Sequence, residues 1–189
     1  MGMVAVTSRK WSVEEFHALP ETPGQVVELL DGELLVIPAP RFVHQRALRE
    51  LTVQLHPYLR LHGLGELLFA PAEMSPDRWT AVQPDLSVFP LVDGRPLAEG
   101  EQRIPRLIVE VLSPSTSRID RGRKRTLYQR LGVEYWIVDL DAQLVEQWMP
   151  DAVSPVICHT VVEWTPSDAP EPFRLFLATF FAEVIPSGT

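Results

Sequence analysis

The segment Leu107-Ile108-Val109-Glu110-Val111-Leu112-Ser113-Pro114-Ser115-Thr116 decides the fold of this chain. Its first six residues predict a buried β-strand that carries one acidic side chain, and the Ser-Pro-Ser-Thr run ends that strand. A carboxylate within an apolar strand is costly unless another group pairs with it or binds to it. Two candidates for that interaction lie near in the sequence. They are Asp85, within the run 82–89, and Lys124, in the basic segment that follows the strand.

The residues on either side of this strand predict an α/β domain built on a mixed sheet. Residues 118–131 predict a basic helix that ends at Gly132, and residues 133–139 predict another buried strand. This strand–helix–strand unit implies a parallel pair of strands. The other expected elements begin with a helix started by the capping box Ser12-Val-Glu-Glu15 and a hairpin at 25–37 with Asp31-Gly32 at its turn. A helix at 41–61, which Pro57 kinks or shortens, and strands at 66–73 and 82–90 follow. The β-rich tail from 144 to 180 is expected to form later strands or a terminal helix.

Length and composition indicate an ordinary globular protein. The 189 residues are 46% hydrophobic and 22% charged, so we expect a single domain over 1–189 with its core at about 25–140. No apolar run approaches the roughly 18–20 residues of a membrane span, and the first ten residues lack the apolar segment of a signal peptide. The single cysteine, Cys158, excludes an intramolecular disulfide. We therefore expect a cytoplasmic protein.

The chain is acidic overall, and its cations are almost all arginine. A formal net charge of −8 argues against a protein that coats nucleic acid through bulk charge, although it leaves a local basic groove open. Only two of the 17 basic residues are lysines, Lys10 and Lys124. Because Lys10 belongs to the N-terminal segment, Lys124 is the only lysine expected in the folded body. A compact ammonium can shift its pKa and lie beside a reacting water, whereas a guanidinium stays charged.

Asp85 and Glu110 can converge at one end of the sheet if their strands are adjacent. Two carboxylates and a backbone carbonyl suit a hard divalent cation such as Mg²⁺, which polarises a phosphoryl oxygen and acidifies a bound water. Lys124 shares one helix face with Asp120 and Tyr128, and its ammonium would stabilise charge that develops on a phosphate. The alternative is structural: Glu110 or Asp85 pairs with an arginine, and Lys124 belongs to a solvated helix face.

Four segments of the chain resemble a known family. They are Glu28-Leu-Leu-Asp-Gly-Glu33, Gln83-Pro-Asp85, Val109-Glu-Val-Leu-Ser-Pro-Ser-Thr116, and Asp120-Arg-Gly-Arg-Lys124 continuing through Tyr128 to Gly132-Val-Glu-Tyr-Trp-Ile-Val-Asp139. Within an αβββαβ order of elements, they look like the PD-(D/E)xK restriction-endonuclease-like superfamily. They resemble more closely the large bacterial Uma family, whose members are described as restriction endonucleases. The resemblance covers roughly residues 10–180 and is most specific in the last segment and the Glu110 strand.

The resemblance implies a fold, a cofactor and roles for three residues. The fold would be a restriction-endonuclease-like αβββαβ core with a mixed sheet, an N-terminal hairpin and a β-rich C-terminal tail. Asp85 and Glu110 would bind Mg²⁺ or Mn²⁺, and Lys124 would be the catalytic ammonium. The superfamily's shortest pattern has its lysine two residues after the acid, where this chain has Leu112. Lys124 would therefore be a lysine that has moved to the following helix.

Several other residues are weaker candidates for the site. His44, on the helix at 41–61, could enter the site as an accessory group, although a hydrogen-bonded histidine at the edge of the core is the commoner case. Glu28 and Glu33 flank the hairpin turn, where they either border the cleft or are solvated. The candidates for phosphate contacts are Arg121, Arg123 and Arg125. The alternative for these arginines is a solvated helix face.

The predicted function is the Mg²⁺-dependent hydrolysis of DNA phosphodiester bonds by an endonuclease. Two alternatives stay open: a non-catalytic nucleic-acid-binding or scaffold protein with the same fold, and a metal-dependent hydrolase of another phosphate ester. Cutting both strands of a duplex suits a two-fold homodimer, for which aromatic residues of the tail are the candidate surface. These residues are Trp148, Trp164 and Phe173.

Overall fold

The computed structural model describes residues 9–20, 23 and 25–186. Its first elements are helix α1 (Val13–His17), strands β1 (Val26–Leu30) and β2 (Glu33–Ile37), helix α2 (Phe42–His62), and strands β3 (Glu66–Phe69), β4 (Met74–Asp77), β5 (Thr80–Val82), β6 (Leu86–Phe89) and β7 (Leu107–Val111). Then follow helix α3 (Ser117–Ile119), a π-helix (Asp120–Lys124), helix α4 (Arg125–Arg130), strands β8 (Glu134–Asp139), β9 (Leu144–Trp148), β10 (Val156–Cys158), β11 (Val161–Trp164) and β12 (Phe173–Phe176), and helix α5 (Leu177–Val184).

A six-stranded mixed sheet with the order β10-β9-β8-β7-β6-β3 contains the central strand β7. β7 runs parallel to β8, with Glu110 opposite Ile137, and every other neighbouring pair in this sheet is antiparallel. All five residues of β7 are buried, as its apolar sequence predicts. The mixed α/β fold class predicted from the sequence is confirmed.

The two faces of β7 point into different parts of the core. Leu107, Val109 and Val111 pack in the cluster that contains the buried leucines of α2. Ile108 packs on the other face, in the cluster that contains Tyr128. Because side chains alternate along a strand, Glu110 lies on the face of Ile108. The fold thereby directs this carboxylate toward the helical segment at 117–130.

The N-terminal hairpin forms a second sheet of four strands, in the order β2-β1-β5-β4. Asp31 and Gly32 both have positive φ angles, 53° and 86°, which is the backbone of the predicted two-residue turn. The sequence did not predict the short β4–β5 hairpin, which divides the stretch between the two expected strands. Its two strands are four and three residues long, and the first is Met-Ser-Pro-Asp, which lacks an alternating apolar pattern.

Helix α2 covers one face of the main sheet and continues through Pro57 to its left-handed C-cap at Gly63. Of the two effects expected of Pro57, a kink or a shorter helix, the shortening is wrong. Proline has no N–H, so the carbonyl four residues earlier lacks its helical hydrogen bond. Because Pro57 is exposed, that carbonyl lies on the solvent side of the helix. The buried face of α2 consists of Ala47, Leu51, Leu55 and Leu59, and α5 packs against this helix.

The basic segment is not the single regular α-helix that residues 118–131 predict. Its centre is a π-helix in which the Arg125 N–H bonds to the Asp120 carbonyl, five residues earlier. A π-helical turn widens the helix locally and often lies at a functional site. Asp120 and Lys124 are both buried within it.

The three aromatic residues predicted to form the dimer surface, Trp148, Trp164 and Phe173, are buried, so that surface is wrong. Trp148 and Trp164 belong to separate core clusters, and Phe173 stacks on Trp136. The alternating pattern of a strand shows which residues share a face of the sheet, but it does not show which face the core covers. The homodimer itself stays a prediction. In the described part of the chain, no helix is both long and apolar enough to cross a membrane.

Candidate metal and catalytic site

Asp85, Glu110 and Lys124 line one cleft with a volume of about 750 Å³. The N-terminal hairpin, α2, the end of β3 and the loop after β7 form its walls. The fold thus brings together three side chains that are up to 39 positions apart in the sequence, which is the separation of Asp85 and Lys124.

Backbone and side-chain hydrogen bonds fix Asp85 beside Glu110. The Asp85 N–H donates to Glu110 Oε2 at 3.3 Å, and the Val111 N–H donates to Asp85 Oδ2 at 2.8 Å. These bonds follow from the antiparallel pairing of β6 and β7, which sets Leu86 opposite Val109. The two acids therefore sit where adjacent strands end, as expected from the sequence.

Lys124 is buried between two carboxylates rather than solvated. Its Nζ donates to Glu110 Oε1 at 2.9 Å and to Glu28 Oε1 at 3.1 Å. Glu28 Oε1 also accepts the Gln83 N–H at 2.8 Å, and the Tyr128 hydroxyl donates to Glu110 Oε1 at 3.2 Å. The structural alternative, an arginine partner for Glu110 and a surface position for Lys124, is therefore wrong.

The surrounding acids determine the protonation of Lys124. Burial alone would lower the pKa of its ammonium, but Glu110, Glu28 and Asp120 together raise that pKa well above its ordinary value. Without a bound metal ion, Lys124 is therefore cationic at neutral pH, and its ammonium has no lone pair with which to act as a base.

The acids themselves are crowded. Burial raises the pKa of Glu110 well above its ordinary value, Lys124 opposes this rise, and Asp85, Asp120 and Glu28 add to it. Burial likewise raises the pKa of Asp120 to about 6, against the opposing effects of Lys124 and a hydrogen bond from Thr116. The cleft thus holds an excess of carboxylates over cationic side chains.

His44 contacts Asp85 from α2. Its Nε2 lies 2.9 Å from Asp85 Oδ2, and its buried Nδ1 has no hydrogen-bond partner among the described residues. Because an ionised carboxylate only accepts hydrogen bonds, Nε2 is the donor in this contact. The histidine therefore orients the carboxylate.

The three arginines predicted to contact phosphate do not line this cleft. Arg121 forms ion pairs with Asp139 and Glu146, and Arg123 forms one with Glu33. The guanidinium of Arg125 lies over the ring of Trp148, 4.7 Å from its centroid. Their role in nucleic-acid binding stays a prediction, but these contacts already occupy each of the three side chains.

Sequence reasoning left Glu28 undecided and assigned Asp120 no role, and both line the cleft. Glu28 is 2% exposed, within β1 and beside the buried residues Leu29 and Leu30. It carries the same signal that identified Glu110, an acid inside an apolar strand, but the neighbouring hairpin turn made a solvated position equally plausible. For Asp120, the only indication in the sequence that it belongs to the site was its helical spacing from Lys124.

The donor set fits a hard divalent cation that keeps much of its water. Four carboxylates, those of Glu28, Asp85, Glu110 and Asp120, surround the single ammonium of Lys124, and a cation would offset this excess negative charge. Within the described residues, no group of three His, Cys, Asp or Glu side chains is arranged as a complete metal site. Mg²⁺ characteristically binds through one or two carboxylates and retains several waters.

Comparisons with known proteins agree with this fold. Residues 13–173, most of the chain, match the Uma2 family, which is described as "Putative restriction endonuclease". A crystal structure from Anabaena variabilis, described as that of a "putative nuclease", matches with a TM-score of 0.76 and 21% sequence identity, over 93% of this chain and 99% of that chain. At that identity the likeness shows a shared fold. No protein of the curated set matches the chain. The match over residues 13–173 shows that the chain belongs to the Uma2 family, as its four sequence segments predict.

Proposed function

We propose that this protein is a Mg²⁺- or Mn²⁺-dependent endonuclease that hydrolyses DNA phosphodiester bonds. The observation that carries the proposal is the burial of Lys124, at 4% exposure, between Glu110 and Glu28 in the cleft that Asp85 also lines. Burying three charges together is rarely the most stable solution for a fold, because apolar residues of the same size often serve as well or better. Retention of such a cluster in an open cleft favours a chemical role.

Each residue has a distinct task in this proposal. Asp85 and Glu110 would hold the metal, which when bound polarises a phosphoryl oxygen and acidifies a water. The Lys124 ammonium would stabilise the charge that develops on the phosphate in the transition state. Glu28 positions Lys124, and His44 orients Asp85. None of these tasks requires Lys124 to lose a proton.

The decisive experiment compares cleavage of plasmid and oligonucleotide DNA by wild type, Lys124→Arg and Glu110→Gln in Mg²⁺ or Mn²⁺. The planar guanidinium does not fit between Glu28 and Glu110 as the ammonium does, so we expect Lys124→Arg to lower the rate by roughly two orders of magnitude or more. Lys10→Arg is the matched control, since Lys10 is the only other lysine and is exposed. Full activity in Lys124→Arg would contradict the assignment of Lys124.

The metal is tested separately, by calorimetry with Mn²⁺. We expect weak, Mg²⁺-like binding by the wild type, because few protein ligands are available. Asp85→Asn should abolish this binding, whereas Asp93→Asn, in an exposed loop, should leave it unchanged. Equal binding by Asp85→Asn and wild type would remove Asp85 from the site.

A further inference from the structure

The cleft has an exposed aromatic wall beside its acidic end. Phe69, the last residue of β3, lines the cleft and is 58% exposed. It pairs with Leu86 across the sheet, and the N–H of the next residue, Ala70, donates to the Asp85 carbonyl at 3.3 Å. The ring therefore stands beside the backbone that carries a candidate metal ligand. An exposed phenyl ring is not needed to contact a phosphodiester, but it suits the face of a base.

Two arginine side chains at the start of α2 also line the cleft and have no partner in the described part of the chain. Arg41 and Arg49 line the cleft, and the guanidinium of neither takes part in an ion pair or hydrogen bond among the described residues. They lie eight positions apart at the start of α2, which corresponds to about 12 Å along the helix axis. Since Lys124 is held by two carboxylates, these are the arginine and lysine side chains of the described cleft that remain available for phosphates.

We propose that the cleft binds an unpaired nucleic-acid strand, with a base stacked on Phe69 and the neighbouring phosphates against Arg41 and Arg49. This inference rests on the proposed nuclease function for its choice of a nucleic-acid ligand. An unpaired strand exposes the faces of its bases, whereas a duplex hides them within its stack, so a stacking ring next to the reacting site favours the former.

Charge and size support the same substrate. Neutralisation of phosphates by arginine and lysine dominates the affinity for duplex DNA, and this cleft offers two free arginines in a chain with a net charge of −8. Its volume of about 750 Å³ lies within the roughly 300–1,000 Å³ of clefts that enclose small ligands. A short unpaired segment is the nucleic-acid form that can enter such a cleft.

The test measures binding separately from cleavage. One oligonucleotide sequence is prepared as single-stranded DNA, single-stranded RNA and DNA duplex, with cleavage-resistant phosphorothioate links, and binding is followed by fluorescence anisotropy in Mg²⁺. We expect the unpaired form to bind at least about tenfold more tightly than the duplex. The comparison of DNA with RNA identifies the sugar that the cleft prefers.

Matched variants localise the effect. Phe69→Ala and Arg49→Gln should each weaken binding of the strand about tenfold. Phe176→Ala, at a ring that is 59% exposed and outside the cleft, and Arg60→Gln, at an exposed arginine near the far end of α2, should leave it unchanged.

Equal affinity for duplex and strand, or equal effects of Phe69→Ala and Phe176→Ala, would overturn the inference. If the protein binds the unpaired strand but does not cleave an unmodified one, the inference stands and the endonuclease proposal is refuted. Cleavage of a duplex without preference for the unpaired strand would refute the inference and keep the endonuclease proposal. Failure to bind any nucleic acid would refute both.

Discussion

At the scale of the residue, the pairing of Lys124 with Glu28 and Glu110 dominates the energetics of the site. Its three charges are almost completely removed from solvent, with side-chain exposures of 6%, 2% and 6%. Removing one partner of such a group leaves an uncompensated buried charge, which costs far more than the group contributes as a whole. The stability of single and double variants should therefore be strongly non-additive.

Lys124→Met should lower the free energy of unfolding by roughly 3–5 kcal/mol, because Glu28 and Glu110 lose their common cation. Adding Glu28→Gln should recover part of this loss, since Gln can still accept the Gln83 N–H without a charge. Urea denaturation of the two single variants and the double variant measures the coupling, with Lys10→Met as the exposed control. Simple addition of the single-variant costs would show that Glu28 does not interact with Lys124.

Asp120 predicts a pH dependence of stability. Its pKa is raised from 3.8 to about 6 in the folded protein, so the folded state binds the proton more tightly than the unfolded chain. The stabilisation from this proton is complete below pH 4 and is lost as the pH rises through 6. Asp120→Asn removes this dependence.

Between pH 4 and pH 7.5, we therefore expect Asp120→Asn to gain stability relative to wild type by on the order of 1–3 kcal/mol. Urea denaturation in EDTA at several pH values measures this difference. Asp93→Asn, at an exposed loop position, provides the comparison and should show no such trend. A constant difference between Asp120→Asn and wild type would mean that Asp120 titrates normally.

At the scale of the element, the π-helix sets the direction of Lys124. Because its hydrogen bond spans five residues instead of four, the hydrogen-bonded ring encloses one more residue than in the α-helices on either side. Asp120, Lys124 and Tyr128 are nonetheless all buried on the side of β7. The segment tolerates Gly122 at its centre, although glycine is a poor helix former.

Gly122→Ala should raise the free energy of unfolding by about 0.5–1 kcal/mol and leave cleavage unchanged. A Cβ at this position meets nothing within 4 Å, and alanine loses less backbone entropy on folding. Gly65→Ala is the contrasting variant, since its Cβ would lie 2.5 Å from the Phe89 carbonyl oxygen and force the backbone to move. Chemical denaturation of both proteins checks this, and destabilisation by Gly122→Ala would indicate that the π-helix depends on glycine.

At the scale of the whole molecule, one chain supplies the complete set of candidate residues. Asp85, Glu110, Lys124, Glu28 and His44 all line the same cleft of a single protomer. A dimer is therefore not required to assemble the site, although the predicted homodimer would still allow two sites to act on two strands.

We expect the cleavage rate per protein molecule on an unpaired strand to be independent of protein concentration. Initial rates measured over a wide concentration range, with light scattering on the same samples, test this. A rate that rises in step with a monomer-to-dimer transition would show that a second copy contributes to the site.

Local sequence determined the elements and much of the candidate site. The Asp31-Gly32 turn, the capping box at Ser12 and the buried strand β7 follow from residue preferences and from periodicity, which act over a few positions. Residue type and family resemblance were sufficient to select Asp85, Glu110 and Lys124. Their catalytic roles stay predictions.

Tertiary structure alone decided how these elements meet. Glu28 reaches Lys124 across 96 positions because β1 joins β5 in a second sheet, a pairing that no local pattern encodes. The π-helix likewise coincides with the burial of both Asp120 and Lys124, which the local helical spacing did not predict. Strand periodicity predicts which residues share a face of the sheet with Trp164 and Phe173. Only the tertiary structure shows that this face packs against the core. Long-range contacts determine the strand pairing, the π-helix and the buried face of the tail. The energies of these contacts depend on residues that are far apart in the sequence.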